Sequence, residues 1–425
     1  MNNKLNKAKY IISELQKAGF EAFIVGGAVR DYIMGKEPGD FDIATSATPD
    51  IIEKIFKRTI SVGKQFGVIV VLIGEEQFEV ATFRKDLGYS DGRRPDKVEF
   101  SNAKEDILRR DFTINGLFWH PETNEIIDYV GGQEDIKKKL IRCIGNPLER
   151  FEEDKLRILR AVRFASNLNF QIEKQTWEVI SNGFFSLEAV SQERIRIEFE
   201  KIISRPNAIA GLHLLKQGKL SGYVIFNELF PESEPFPDVT DILFNETANL
   251  EIDNALALLY VSSPNLIEYK LNNGIYFIAE DFKEKLKRLK IYFKNHTFSN
   301  KVTNNCIEIL DIILSILSLR EYPLSVLRKQ IGRPNGVNAY NILKAINNML
   351  GNEIPVIKKL EEVLKVYKNE ILPKPLINGD DLIEKGHVPG LKLAKILEHA
   401  HDIQLNEDIK DKSVLMEKIK SKELS

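Results

Sequence analysis

One stretch near the N-terminus constrains the fold more than any other part of the chain. Residues 23–42 read FIVGGAVRDYIMGKEPGDFD: an apolar run ends in two glycines, a short helical segment follows, and a turn leads into a second strand. Because side chains on a strand alternate between its faces, Asp40 and Asp42 are predicted to project from one face while Phe41 enters a core. The two glycines would let backbone N–H groups approach a phosphate. The stretch therefore predicts a phosphate cradle beside a divalent-metal site, as in a nucleotidyl-transfer centre.

The length and composition indicate a globular protein with more than one domain. Single cores stop growing at about 250–300 residues, and this chain has 425. A net charge of −2 argues against bulk non-specific affinity for nucleic acid. Cys143 and Cys306 are too few for a disulfide framework and predict buried thiols in a reducing cytoplasm. The N-terminus lacks a signal-peptide core, and the apolar segment 307–319 is too short for a membrane span, so we expect a cytoplasmic protein.

The periodicity of the chain predicts an α+β fold. Residues 4–18 carry apolar side chains at helical spacing, and residues 67–74 and 77–84 form two apolar strands joined by a hairpin turn. These elements predict a head made of a mixed sheet with helices. Beyond residue 205 the pattern is helical throughout.

Two features of the head allow more than one interpretation. Glu79 is either a third carboxylate beside the first two or part of a solvated strand face. Residues 85–100 have the turn residues of a long loop, and loops of this length are usually functional or disordered. The loop is therefore either a mobile element that closes on a nucleotide or a flexible connector.

A charged motif, RRDFTIN, occupies residues 109–115 directly before an apolar stretch. Charged side chains entering an apolar region are costly unless they are paired or bind a ligand. The motif predicts contacts to a ribose or a phosphate, or else a buried knot of ion pairs at a domain boundary.

A second charged motif predicts base recognition. Residues 151–164, FEEDKLRILRAVRF, are expected to form one helix with Asp154 three positions before Arg157. A carboxylate beside a guanidinium accepts from an exocyclic amine and donates to a ring acceptor, which suits cytosine and adenine but leaves guanine and uracil mispaired. The alternative is a surface ion pair.

The C-terminal part carries weaker signals. Lys392 and Lys395 near a predicted helix start suit contacts to an RNA backbone, although lysines at such positions are also ordinary surface residues. The pair His401-Asp402 lacks the further His and Asp residues that a metal phosphohydrolase would need.

Taken in order, the motifs resemble those of the class II tRNA nucleotidyltransferase and bacterial poly(A) polymerase family. The motifs are GGAVRD, DFD, RRDFTIN, EDKLRILRAVRF and ERIRIE; the resemblance is strong over residues 20–205 and fainter beyond them, where PKPLINGDDL resembles the family's tail. It implies a catalytic head (1–147), a base-recognising neck (148–205), a helical body (206–370) and a tRNA-binding helical tail (371–425).

The resemblance also implies residue roles. Asp40 and Asp42 would be catalytic and would bind two Mg²⁺ ions. The triphosphate would be contacted by Gly26, Gly27 and Arg30. The ribose would be recognised by Arg110, Asp111 and Asn115. The base would be read by Asp154 and Arg157, with Arg160 nearby. Structural support for the base-reading helix would come from Glu153, Glu193 and Arg194. The loop 85–100 resembles the element that helps such enzymes change from C to A addition.

The activity implied is template-independent addition of C and A from CTP and ATP to the 3′ end of tRNA, by two-metal transfer that releases pyrophosphate. Body and tail would hold the acceptor and T arms of tRNA by shape. Addition of A only, CC only or poly(A) are alternatives, and a non-catalytic RNA-binding relative is another. The long loop argues against CC-only addition, the lack of strongly basic tails against poly(A) synthesis, and the Asp40/Asp42 pair against loss of catalysis. The sequence indicates no protein partner and no membrane association.

Overall fold

The structure, a computed structural model, describes the chain apart from residues 1–2, 62, 89–96, 184, 248–249, 271–274, 352–353, 369 and 424–425. The chain folds into two units, one formed by Met1–Ile202 with Ala210–Val224 and the other by Ile203–Ile209 with Ile225–Ser425. The α+β class is confirmed. The finer division at residues 147 and 370 stays a prediction.

A mixed sheet is the centre of the first unit. The strands of this unit, in chain order, are β1 (Ala22–Val25), β2 (Asp42–Thr45), β3 (Thr59–Ile60), β4 (Val68–Ile73), β5 (Glu76–Thr82), β6 (Arg84–Leu87), β7 (Lys97–Phe100), β8 (Leu117–His120), β9 (Glu125–Asp128), β10 (Leu140–Ile141) and β11 (Gln171–Ile172). The main sheet has the spatial order β3-β4-β5-β2-β1-β8-β9. Strands β2 and β5 run parallel, and the other neighbours are antiparallel. Because β2 and β5 run parallel with Ile43 opposite Val80, the start of β2 lies close to the middle of β5.

Helices surround this sheet and continue from it. The helices that begin in the first unit or at its boundary are α1 (Asn3–Lys17), α2 (Gly27–Ile33), α3 (Pro49–Ile55), α4 (Ala103–Leu108), α5 (Gly132–Lys138), α6 (Pro147–Glu153), α7 (Leu156–Leu168), α8 (Lys174–Ser181), α9 (Gln192–Ile203) and α10 (Ala208–Gln217). Helix α1 buries Ala8, Ile11, Ile12 and Leu15, as its apolar spacing predicts.

The alternation predicted around β2 is confirmed. Phe41 is buried at 2% exposure, whereas Asp40 and Asp42 on either side of it are exposed. Asp42 begins β2 and lies opposite Val25, the last residue of β1. The glycine turn after β1 therefore lies beside the first residue of β2.

Two expectations about the first unit are wrong. Residues 85–87 and 97–100, expected in a long loop, belong to the antiparallel hairpin β6–β7, in which Arg84 pairs with Phe100 and Leu87 with Lys97. Residues 89–96 of the expected loop lie outside the described residues. The single helix expected over 151–164 is two helices, because Asp154 adopts an extended conformation (φ −145°, ψ 100°) between α6 and α7.

The second unit is mainly helical. Its helices are α11 (Asp238–Glu246), α12 (Ile252–Val261), α13 (Phe282–Asn295), α14 (Asn300–Leu317), α15 (Leu324–Ile331), α16 (Gly336–Met349), α17 (Val356–Val366), α18 (Gly379–Ile383), α19 (Leu391–Asn406) and α20 (Lys412–Glu423). The sequence did not predict the small hairpin of β12 (Ile267–Lys270) and β13 (Ile275–Ile278). None of the described helices combines the length and apolar character that a membrane span needs.

A buried arginine joins the later helices of the second unit. Arg328 of α15 is 1% exposed and donates to the carbonyls of Ile371 at 2.9 Å and Leu405 at 3.0 Å. Its guanidinium also lies 3.8 Å from the centre of the Tyr367 ring. These bonds tie the segment after α17 and the end of α19 to α15.

Replacing Arg328 with Met should destabilise the second unit by about 3 kcal/mol, because the buried carbonyls lose their donors. Differential scanning calorimetry of the full chain measures this change. Arg320→Met removes an exposed guanidinium from the same unit and is the matched control. Equal stability of the two variants would contradict the structural role of Arg328.

Candidate active site

A cavity of about 510 Å³ lies entirely within the first unit. Its lining residues are Gly26, Gly27, Arg30, Asp42, Arg109, Arg110, Asp111, Asn115, Asp154, Leu156, Arg157, Arg160, Arg163, Phe164 and Arg194. Seven arginines against three aspartates give the wall an excess of positive charge. A cavity of this charge attracts a polyanion such as a triphosphate.

Most residues singled out from the sequence meet in this cavity, although they come from β2, α2, α7, α9 and the segment after α4. The predicted residues outside its lining are Asp40, Glu79, Glu153, Glu193, Lys392 and Lys395. Lys392 and Lys395 are exposed on α19 of the second unit. Their contact with RNA stays a prediction, as does the supporting role of Glu193, which is exposed in the first turn of α9.

The glycine turn brings backbone and guanidinium groups together. Gly26 has φ +71°, a conformation that favours glycine. A side chain at Gly27 would contact the guanidinium of Arg30 at 3.5 Å, and one at Gly26 would lie 3.7 Å from Arg110 Nη1. The two arginines therefore lie directly beside the glycine turn, at the cavity wall.

A chain of buried polar contacts crosses the site. Arg30 Nη1 donates to Asn115 Oδ1 at 2.9 Å, and Asn115 Nδ2 donates to Asp111 Oδ1 at 3.2 Å. The other carboxylate oxygen of Asp111 accepts from Arg160 Nε at 2.8 Å and from Arg160 Nη2. The two interpretations of the RRDFTIN motif are therefore compatible, since its residues form buried pairs and also line the cavity.

The charge of Asp111 depends on these partners. Burial by itself raises the pKa of Asp111, but the charge of Arg160 and hydrogen bonds from Arg160, Asn115 and the Phe112 N–H outweigh burial and lower the pKa to about 2. Asp111 is therefore ionised at neutral pH and offsets one of the cavity's positive charges.

The predicted base-reading pair lies at the cavity with each member held by a different residue. Asp154 Oδ2 accepts from Arg194 Nη2 at 2.9 Å, which agrees with a supporting role for Arg194. Arg157 Nη1 donates to Glu153 Oε2 at 2.7 Å and to the Arg150 carbonyl at 2.9 Å. The helix break orients Asp154, whose Oδ1 accepts from the first N–H of α7 at 3.1 Å. A carboxylate and a guanidinium with fixed orientations thus face the same space.

A group of carboxylates lies at the start of β2. Loss of hydration, then repulsion from Glu79, raises the pKa of Asp42 to about 6, while Arg110 opposes the shift and Asp40 adds to it. The described residues contain no group of three or more His, Cys, Asp or Glu side chains that would hold a metal unaided. Mg²⁺, however, commonly binds one or two carboxylates and completes its shell with water and substrate phosphates. The Asp40/Asp42 pair fits that mode, and a third-ligand role for Glu79 stays a prediction.

Three charged or aromatic lining residues escaped the sequence analysis. The ring of Phe164 lies 4.3 Å from the guanidinium carbon of Arg163, 5.4 Å from that of Arg160 and 5.6 Å from that of Arg30. Arg109 is the third residue missed. The signal was present in the letters RAVRF and RRD, but periodicity alone does not tell which arginines of an amphipathic helix face a cavity.

A buried carboxylate links the β6–β7 hairpin to the cavity. Asp106 is 1% exposed and accepts from Arg109 at 2.7 Å and from Arg110 at 2.9 Å. Arg84 of β6 donates to Asp86 at 3.1 Å, and Asp86 lies 3.7 Å from Arg109. The base of the hairpin and two cavity arginines therefore share one network of charges.

Comparison with known proteins gives consistent matches. Residues 22–142 match the family described as the Poly A polymerase head domain, and residues 169–236 match the Probable RNA and SrmB- binding site of polymerase A. The CCA-adding enzyme of Pediococcus pentosaceus is 32% identical over 98% of this chain and 97% of its own length. The CCA-adding enzyme of Bacillus velezensis is 44% identical over 56% of this chain, and the match spans only 61% of that relative.

A solved structure extends the likeness to the whole chain. The crystal structure of the Bacillus stearothermophilus CCA-adding enzyme in complex with CTP has a TM-score of 0.75 and 28% identity. The match covers 100% of this chain and 99% of that one.

Asp111→Asn should lower the free energy of unfolding at pH 7 by about 2 kcal/mol, because the partly buried guanidinium of Arg160 loses its charged partner. The folded pKa of Asp111 lies below its ordinary value of 3.8. The stabilisation is therefore complete above about pH 4 and disappears as the pH falls through about 2. Urea unfolding followed by tryptophan fluorescence reports on the first unit, since Trp119 and Trp177 both lie there.

Asp50→Asn is the control for this experiment, because Asp50 pairs with Lys64 at an exposed position. It should have little effect at any pH. A pH-independent loss in Asp111→Asn would show that the ion pair with Arg160 is not the source of its stabilisation.

Proposed function

The chain belongs to the CCA-adding enzyme family of nucleotidyltransferases, and from that premise we propose that it adds C and A from CTP and ATP to the 3′ end of tRNA without a nucleic-acid template. One observation carries the proposal: a single cavity joins the carboxylate of Asp42, a wall of arginines and the Asp154/Arg157 pair. These are the three parts that such a reaction needs: a metal ligand, a phosphate site and a base reader.

The arginine wall supports triphosphate binding. Arg30 and Arg110 stand beside the glycine turn, and Arg109 lines the same cavity. Guanidinium groups bind phosphates through paired N–H donors and remain charged at neutral pH. We assign the triphosphate to this end of the cavity, and the ribose to the polar chain of Asp111 and Asn115.

The Asp154/Arg157 pair would select the base. Bonds to Arg194 and Glu153 hold the two side chains before a nucleotide arrives, so little conformational entropy is lost on binding. An ionised carboxylate has several lone-pair sites, so Asp154 can accept from an exocyclic amine while it keeps Arg194. The same pair accommodates cytosine and adenine, which both offer an amine next to a ring acceptor.

Asp40 and Asp42 would hold divalent metal, for which we propose two Mg²⁺ ions. Bound there, the metal would activate the 3′-hydroxyl and stabilise the departing pyrophosphate. The raised pKa of Asp42 supports the assignment, because a cation at this position would relieve the repulsion among neighbouring carboxylates. Arg110, which already acts on Asp42, would keep the triphosphate next to these carboxylates.

Three related activities differ only in product. Addition of A alone, addition of CC alone and poly(A) synthesis would use the same cavity. The network of Arg84, Asp86 and Arg109 favours full CCA addition, since it couples the β6–β7 hairpin to the nucleotide site. A non-catalytic RNA-binding relative is disfavoured by the exposed Asp40/Asp42 pair. We propose the cytoplasm as the location, in keeping with the buried free thiols of Cys143 and Cys306.

The decisive experiment compares tRNA ending before CCA with tRNA ending in CC, each incubated with CTP, ATP or both. Full CCA addition predicts three added nucleotides on the first tRNA and one on the second. Extension of the second tRNA alone would indicate A-only addition, and a stop after CC would indicate a CC-adding enzyme. Long A tails would indicate poly(A) synthesis, and no product under any condition would reject the proposal.

Asp42→Asn should reduce nucleotide addition at least 1,000-fold, roughly the cost of losing a major electrostatic element of an active site, and leave tRNA affinity nearly unchanged. Gel-shift titration with tRNA and single-turnover addition measure the two effects. Asp50→Asn, an exposed Asp to Asn change on α3, is the control. Near-normal turnover in Asp42→Asn would remove Asp42 from the metal site.

Arg157→Lys should weaken discrimination of CTP and ATP against UTP and GTP by roughly 10-fold, because lysine keeps the charge but not the planar fork of donors. The measurement is kcat/KM for each of the four nucleotides. Arg196→Lys, on α9 and outside the cavity lining, should keep the normal selectivity. Unaltered selectivity in Arg157→Lys would mean that other residues read the base.

A further inference from the structure

A lysine from the first helix contacts one of the two proposed metal ligands. Lys4 of α1 donates from Nζ to the carbonyl of Gly39 at 3.1 Å and to the Oδ1 of Asp40. The Lys4 side chain is 21% exposed, whereas that of Asp40 is 89% exposed. The surrounding protein therefore fixes the ammonium group, while the carboxylate that it contacts is open to solvent.

The placement of Lys4 follows from the packing of α1. Residues one and two turns further along, Ala8 and Ile11, are completely buried against the first unit's core. Helix α1 contacts both β1 and β2, so its first turn lies over the turn that precedes Asp42. Lys4 is consequently held next to Asp40 by an element with an extensive apolar anchor.

The contact between Lys4 and Asp40 lies in a region of concentrated negative charge at the start of β2. Asp40, Asp42 and Glu79 concentrate negative charge there, and the two cations that act on Asp42 are Arg110 and Lys4. Arg110 lines the cavity, whereas Lys4 does not and reaches the carboxylate of Asp40 from α1. Lys4 thus occupies a position where a divalent cation would compete for the same oxygen.

We propose that Lys4 is an internal counter-ion of Asp40, which competes with the divalent metal and is displaced from the carboxylate when the metal binds. The inference rests on the proposed function, because it takes Asp40 as a metal ligand. An ammonium brings one charge to this group of carboxylates and a divalent ion brings two, so the ion can displace it. The competition weakens metal binding to the nucleotide-free protein until a triphosphate supplies further oxygen ligands.

The size of the effect follows from the exposure of Asp40. Ion pairs at solvent-exposed positions contribute little, so removing the Lys4 charge should tighten metal binding by only about two- to fivefold. A neutral side chain of similar length is required, because truncation would also remove the packing of the lysine's aliphatic part. Lys4→Met meets this requirement, and Lys4→Arg keeps a cation in place.

The test measures Mn²⁺ binding to the full-length, nucleotide-free protein, with free Mn²⁺ counted by electron paramagnetic resonance. Lys4→Met should bind Mn²⁺ about two- to fivefold more tightly than the wild type, and Lys4→Arg should stay close to it. Lys17→Met is the matched control, because Lys17 lies at the other end of α1, where it pairs with Glu14. A thermal unfolding curve for each variant establishes that α1 remains folded.

Two outcomes separate this inference from the function on which it rests. Unchanged or weaker Mn²⁺ binding in Lys4→Met, with loss of binding in Asp40→Asn, would overturn the role of Lys4 and leave the metal site in place. Equal tightening in Lys4→Met and Lys17→Met would also overturn it, since the cause would then be the overall charge. Wild-type Mn²⁺ binding in Asp40→Asn would remove Asp40 from the metal site itself.

Discussion

The buried ion pair between Asp111 and Arg160 is the interaction on which the candidate site depends. The buried carboxylate of Asp111 would carry a large desolvation cost without a partner, so its pairing with Arg160 stabilises the contact between the segment after α4 and helix α7. Asn115 and Arg30 extend the pair to α2 and the glycine turn. Because one polar chain connects the glycine turn to the helix that carries Arg157, the relative positions of both are set before any ligand binds.

The distribution of charge along the cavity follows from this arrangement. Asp111 and Asp106 each neutralise arginines in the protein interior, yet the lining keeps an excess of guanidinium groups. At the start of β2 the sign reverses: loss of hydration, together with repulsion from Glu79 and Asp40, raises the pKa of Asp42 to about 6. A metal-bound triphosphate carries both signs in the matching order, with its cation at the carboxylates and its phosphates at the arginines. The proposed substrate would balance both charge excesses together.

The pair proposed to read the base is held in place by other residues. Arg194 holds the side chain of Asp154, and Glu153 with the backbone carbonyl of Arg150 holds the side chain of Arg157. Asp154 is extended between α6 and α7, so its side chain is oriented differently than it would be in one continuous helix. Asp is favoured where a helix starts, so Asp154 itself was the available signal for this break, but helical periodicity on both sides concealed it.

The sequence by itself determined the features that depend on local periodicity. The alternation of Asp40, Phe41 and Asp42, the buried face of α1 and the glycine turn all follow from spacing over a few residues. The order of the motifs was sufficient to identify the family. Only the tertiary structure decided which charges pair, because the partners Lys4–Asp40, Asp111–Arg160 and Asp154–Arg194 are 36, 49 and 40 positions apart. The packing of whole helices and strands selects such partners, and the spacing within any one element carries no information about them.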